Sequence, residues 1–144
     1  MTKKKLTNIF FKIFTTSFFY FIASYNFSYA KETYEIKAEK VNYQNEKDII
    51  FAEGNAIATN ELGEKLIADK ITYNKKKNII LTSGNSKYLD KLSNSLEADS
   101  FKLNINSQLI EAKKNVKLID KEGNKIFLTK IIYDKINKKG MDMI

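Results

Sequence analysis

From about residue 38 onward the sequence predicts an all-β fold, in which successive antiparallel hairpins of bent strands form two apposed sheets around one core. Three observations predict it. The first is a repeat of about 30 residues without gaps. It reads AEKVNYQNEKDIIFAEGNAIATNELGEKLI from Ala38, ADKITYNKKKNIILTSGNSKYLDKLSNSLE from Ala68 and ADSFKLNINSQLIEAKKNVKLIDKEGNKIF from Ala98, and a fourth copy begins at Leu128 as LTKIIYDKINKKG. Val41, Ile71, Phe101 and Ile131 fall in one column, Tyr43, Tyr73, Leu103 and Tyr133 in another, and Asn55, Asn85 and Asn115 in a third. The second observation is the period inside each unit. Apolar and polar residues alternate, as in Lys70-Ile71-Thr72-Tyr73-Asn74, which is the pattern of a half-buried strand rather than a helix. The third is a change of parity: Leu66 and Ala68 are even, Ile71 and Tyr73 odd. A flat strand cannot keep both pairs on one face, so a bulge or bend is required near Asp69-Lys70.

The elements follow in order. A first strand is expected near Tyr34 to Tyr43. In each unit a strand such as Lys70 to Asn74 runs into a polar turn, Asn74 to Asn78, and then into a second strand. The even positions of that strand recur as Ile50-Ala52-Gly54-Ala56-Ala58, Ile80-Thr82-Gly84-Ser86-Tyr88 and Ile110-Ala112-Lys114-Val116-Leu118. Gly54 and Gly84 stand in mid-strand, where glycine marks a bend, a bulge or a close backbone approach. The third copy has Lys113-Lys114-Asn115 instead, so its bend is expected to be weaker. Turns follow at Asn60-Glu61-Leu62-Gly63, Lys91-Leu92-Ser93-Asn94 and Lys121-Glu122-Gly123-Asn124. Glu39, Asp69 and Asp99 occupy repeat-equivalent positions, which favours a structural role at the strand bends over a catalytic pair. The last strand is expected near Lys130 to Tyr133, and the fourth copy shows no recognisable second strand before Ile144.

Residues 1–30 read as a secretory signal peptide: Lys3, Lys4 and Lys5, a mostly apolar run from Ile9 to Ala23, then Ser28-Tyr29-Ala30 with cleavage after Ala30. The domain proper is then 31–144. All 25 basic residues of the chain are Lys, against 17 acids. Four of those Lys lie in 1–30, which leaves 21 Lys against 17 acids, or +4, in 31–144. A surplus of that size, spread along the chain, does not argue for a nucleic-acid partner. There is no Cys and no His. Disulfides, thiolate or imidazole metal sites, Cys nucleophiles and Ser-His-Asp catalysis are thereby excluded within the chain. No metal, cofactor or enzymatic activity is expected.

The words ADKITYN, NIILTSGNS and LEADSF, repeated behind a signal peptide, resemble the organic-solvent-tolerance-like domain of lipopolysaccharide transport and assembly proteins. The resemblance covers about residues 34–138 and is carried by repetition more than by a unique motif. That family is found as a free-standing periplasmic bridge protein and as the N-terminal domain of the outer-membrane assembly protein D. It implies a β-jellyroll of V-shaped strands, located in the periplasm and associated with the outer membrane. It also implies three partners: lipopolysaccharide, held by its acyl chains between the sheets; other jellyroll-type transport proteins, joined by strand-edge pairing; and the outer-membrane assembly complex. On this reading Val41, Tyr43, Ile71, Tyr73, Phe101, Leu103, Ile131 and Tyr133 line the lipid slit. Lys75, Lys76 and Lys77 are candidates for head-group phosphates, and Lys113-Lys114 form a second basic pair. Plain sandwich core and solvated turn charge are the alternative readings of the same residues. The interrupted fourth copy fits the N-terminal part of a longer assembly protein slightly better than a free-standing bridge. The rival to the whole reading is an exported structural or adhesive β-repeat protein with no lipid ligand.

Overall fold

The computed structural model describes residues 32–137 and the backbone of 139–141; the expected signal peptide and cleavage point lie outside them. The strands are β1 (Tyr34–Lys37), β2 (Lys40–Gln44), β3 (Ile49–Asn60), β4 (Lys65–Asn74), β5 (Ile79–Leu89), β6 (Ser95–Asn104), β7 (Leu109–Ile119), β8 (Lys125–Asp134) and β9 (Lys139–Met141), with a 3-10 turn at Asn45–Lys47. They form one antiparallel sheet in the order β1-β3-β4-β5-β6-β7-β8-β9, and β2 pairs with the first part of β3. The predicted all-β architecture of bent strands is therefore the observed one.

The bends come from a repeated bulge. Between the pairs Glu53–Lys70 and Ala56–Ala68, two residues of β3, Gly54 and Asn55, oppose the single Asp69 of β4. The same irregularity recurs between Ser83 and Ser86 on β5 and between Lys113 and Val116 on β7. Both bulge residues take positive φ in every copy: Gly54 80° and Asn55 48°, Gly84 74° and Asn85 43°, Lys114 62° and Asn115 50°. Each Asn amide then donates to the repeat acid 16 residues earlier. Asn55 reaches Glu39 at 2.7 Å, Asn85 reaches Asp69 at 3.0 Å, and Asn115 reaches Asp99 at 2.9 Å. The three acids of the repeat thus lock the bends through side-chain amides. The extra residue also restores the parity that the sequence leaves mismatched, so Leu66, Ala68, Ile71 and Tyr73 all point inward and are buried.

The weaker bend expected in the third copy is not seen: Lys114 and Asn115 make the same left-handed pair, and Asn115 holds Asp99 with two contacts. A non-glycine residue there costs roughly 1–2 kcal/mol of backbone strain, part of which glycine returns through its larger unfolded-state entropy. Lys114→Gly is therefore expected to stabilise the domain by about 0.5–1 kcal/mol, measured as an upward shift of the urea midpoint with unchanged m-value.

The bends fold the sheet into two layers. One holds β1, the second halves of β3, β5 and β7, and the first halves of β4, β6 and β8. The other holds β2, the complementary halves of those strands, and β9. Their inner faces meet in a single core: Leu66, Leu96 and Val116 of the first layer and Ile71, Ile80, Leu103 and Ile110 of the second are 0–1% exposed. Aromatic contacts cross between the layers, Tyr34 against Tyr73 at 6.5 Å and Tyr88 against Tyr133 at 6.1 Å.

Two boundaries differ from expectation. The first strand is split into β1 and β2 at Ala38-Glu39, where the Glu39 amide bonds the Gly54 carbonyl at 3.0 Å. The chain also adds a short β9, which pairs with Ile132–Asp134, so among the described residues the second-layer edge is β9 and not β8. Three residues around Gly140 carry no alternation from which a strand can be read.

Candidate functional site

Six of the eight residues predicted to line the interior are buried between the layers: Ile71, Tyr73, Phe101, Leu103, Ile131 and Tyr133, each at most 7% exposed. They belong to one packed cluster with Ile80, Ile110 and the small residues Ala52, Ala56 and Ala58. Val41 and Tyr43 differ. Their register places them opposite Ala52 and Ile50, in line with the inward column, yet they are 51% and 48% exposed. The cause is position: among the described residues β2 is the edge of its layer, with no strand beyond it. The apolar interior therefore runs out to solvent at this edge.

The cationic candidates lie beside the same edge. Lys75, Lys76 and Lys77 form the turn between β4 and β5, next to the turn after β2, and the Lys75 amide bonds the Asp48 carbonyl at 3.0 Å. The Lys75 ammonium sits 5.1 Å from the centre of the Tyr43 ring, and the Tyr43 hydroxyl donates to Asp48 at 2.6 Å. Lys76 and Lys77 are exposed in the same turn. Tyr43 and Lys75 thus meet at the exposed β2 edge, with Asp48 against the Tyr43 hydroxyl and Val41 exposed two residues earlier on the same strand. Lys113 and Lys114 lie elsewhere, on the bulge of β7.

A polar clasp, which the sequence reading did not find, joins segments 103 residues apart. Lys135, at the turn after β8, has a side chain only 2% exposed. Its ammonium is 2.7 Å from Glu64 and 3.0 Å from Glu32, and it donates to the Tyr34 hydroxyl at 3.1 Å. The rings of Tyr34 and Tyr88 lie 5.8 and 5.9 Å from it. Asn60 and Gln108 also donate to Glu32, and Asn60 donates to Glu64 at 2.8 Å. Burial acts to raise the Glu32 pKa, but the bonds from Gln108, Asn60 and Lys135 outweigh it and hold the carboxyl below its ordinary value. Burial, and then the nearby carboxylates, push the Tyr34 and Tyr88 phenols far above theirs, so both remain neutral donors.

One sequence signal does mark this clasp. The first-layer turns at Asp90 and Asp120 accept from Asn94 and Asn124, whereas the first copy exchanges the two, with Asn60 donating to Glu64. The exchange puts a carboxylate at the position from which Lys135 is reached.

Bent antiparallel strands, two layers with a common core and an open edge define a V-shaped β-jellyroll. No protein-family model matches the chain, and no curated protein matches it. Among solved structures it is similar to LptH from Pseudomonas aeruginosa, described as the LptA homologous periplasmic component of the conserved lipopolysaccharide transport device. The TM-score is 0.68 at 15% identity, over 76% of this chain and 80% of that one. A likeness at that identity establishes the shared fold.

Proposed function

We propose that this domain is a periplasmic lipopolysaccharide-handling module that shields acyl chains between its layers and passes them along neighbouring jellyrolls. The observation that carries the reading is the exposed edge at β2, which we read as the mouth of the interior. Val41 and Tyr43 continue the buried column into solvent, and Lys75 stands over Tyr43. Keeping a methylene out of water is worth about 0.8 kcal/mol, so a few such contacts retain an acyl chain, while lysine serves as a point-charge partner for phosphate. The fold shared with a component of a lipopolysaccharide transport device supports the same reading.

Transfer requires a partner at the mouth. Among the described residues, β1 and β2 offer unpaired backbone groups at one edge of the sheet, and β9 with the first half of β8 at the other, the arrangement needed for strand addition by adjacent jellyrolls or by an outer-membrane assembly complex.

The second reading, an exported structural repeat without a lipid, draws on the close burial of the six interior residues. One experiment separates the two. A photo-crosslinking amino acid at position 41, with lipopolysaccharide present, is expected to give a lipid adduct, and the same probe at the outward-facing Glu35 none. Tyr43→Asp, at an exposed position, is expected to cut the adduct at least tenfold while leaving the urea midpoint nearly unchanged. Equal labelling at 41 and 35, or full labelling of the folded Tyr43→Asp variant, would favour the structural repeat.

A further inference from the structure

The outward face of the second layer carries a feature that the interior reading does not use. Row by row across the strands, one outward line reads Glu53, Lys70, Ser83, Ser100, Lys113 and Lys130, each residue paired in register with the next. Repeat-equivalent positions 53, 83 and 113 hold Glu, Ser and Lys; positions 70, 100 and 130 hold Lys, Ser and Lys. Only the middle hairpin puts a short hydroxyl side chain at both places. Two serines facing each other between long charged neighbours leave a hollow, and a cleft of about 430 Å³ lies there. Lys70 and Lys113 stand at its two ends, and Lys102 and Glu111 stand beside it, with Thr72 and the half-exposed Leu81 completing the wall.

The chemistry of the lining is mixed in a specific way. Lys70 is paired with Glu53 at 3.1 Å, and Lys113 with Glu111 at 3.2 Å, both at the surface. Such exposed pairs are worth about 0–1 kcal/mol and exchange readily for a ligand. Among the described residues, Lys102 has no carboxylate within ion-pair distance. Three ammonium groups call for an anion. Three hydroxyls and a carboxylate call for a ligand rich in hydroxyls: Glu111, paired also with Lys130 at 2.8 Å and so held ionised, accepts from sugar hydroxyls, and Ser83 and Ser100 both donate and accept. Leu81 offers an apolar wall for the C–H face of a ring. A bare phosphate would use the lysines alone, and an acyl chain would use none of the polar groups.

We propose that this outer cleft is a binding site for a phosphate-bearing sugar, separate from the interior. The sugar is either free or the head group of a lipid carried by the domain. Only the second source rests on the function proposed above.

The test is titration of the full folded domain with glucose 6-phosphate, followed by backbone amide shifts. Glucose and inorganic phosphate are titrated in parallel. The expected result is saturable shifts centred on Ser83, Ser100 and Lys102, with at least tenfold weaker response to either parent compound. Ser83→Leu with Ser100→Leu fills the hollow with side chains that neither donate nor accept, and is expected to weaken binding at least tenfold. Lys102→Glu, a fully surface change, is expected to do the same with unaltered strand signals. Absence of saturable shifts overturns the proposal, as does an inorganic phosphate response equal to that of the sugar phosphate. So does unchanged binding by both folded variants. Adding lipopolysaccharide identifies the source: displacement of glucose 6-phosphate assigns the cleft to a lipid head group, and persistence assigns it to a free sugar phosphate. This readout does not involve position 41, so crosslinking at the mouth and binding at the cleft fail independently.

Discussion

Lys135→Met is expected to cost about 3–5 kcal/mol of folding free energy, read as a large drop in the urea midpoint. The replacement has similar length and removes only the charge and its bonds. Glu32 and Glu64 would then stand beside each other, largely buried, with no cation, and an uncompensated buried charge is among the most damaging changes a core can suffer. The triple variant Lys135→Met, Glu32→Gln, Glu64→Gln removes the whole ionic set and is expected to recover most of the loss. If Lys135→Met costs less than about 1 kcal/mol, the clasp is not holding these segments together. Its pH dependence gives a second readout. The Glu32 carboxyl titrates below its ordinary value in the folded state, so its contribution is fully present above the unfolded value of about 4.3. It is lost as pH falls through the lower folded value. Wild-type stability should therefore fall on acidification below about pH 4.3, and the triple variant should fall less steeply over the same range.

Gly84→Ala is expected to be the most damaging change at a single glycine, at about 2–3 kcal/mol. A Cβ at that position would overlap the Asp69 carboxylate oxygen and lie 2.9 Å from its carbon, and the residue has φ of +74°. Left-handed backbone costs alanine roughly 1–2 kcal/mol. Asp69 would also have to swing away, which breaks its bond from Asn85, worth roughly 0.5–1.5 kcal/mol. Gly63→Ala provides the comparison: φ is +81°, but nothing lies within 4 Å of the added carbon, so about 1 kcal/mol is expected. Equal losses at the two sites would show that the Asp69 contact contributes nothing and that backbone strain alone is measured.

The strands, their order and their bends were legible because the information is local and repeated. Leu66, Ala68, Ile71 and Tyr73 cannot share a face without an inserted residue, and Gly54-Asn55 and Gly84-Asn85 announce where it is inserted. The same logic overreached at Lys114: the absence of glycine suggested a weaker bend, but the Asn115 bond to Asp99 and the pairing on both sides hold the left-handed pair regardless. Column reasoning also placed Val41 and Tyr43 with the interior. It got their register right and missed their exposure, since a repeat pattern does not reveal which strand lacks a neighbour. The clasp was illegible for a different reason. Glu32 and Lys135 are 103 residues apart, and each is an ordinary charged residue within its own segment. Only the exchange of Asn60 and Glu64 relative to the later copies hinted at it. The outer cleft, by contrast, is written in the sequence as the pair Ser83 and Ser100, and it goes unnoticed because inward columns draw the eye.

The clasp also makes the molecule count itself. Each 30-residue unit contributes two strands, or about 9.6 Å of sheet. A domain with one hairpin more or fewer would displace Lys135 by that distance, well beyond the 2.7–3.0 Å that separates it from Glu64 and Glu32. One hairpin more or fewer would thus leave two acids stranded, so the ion triad acts as a ruler matched to the present number of hairpins.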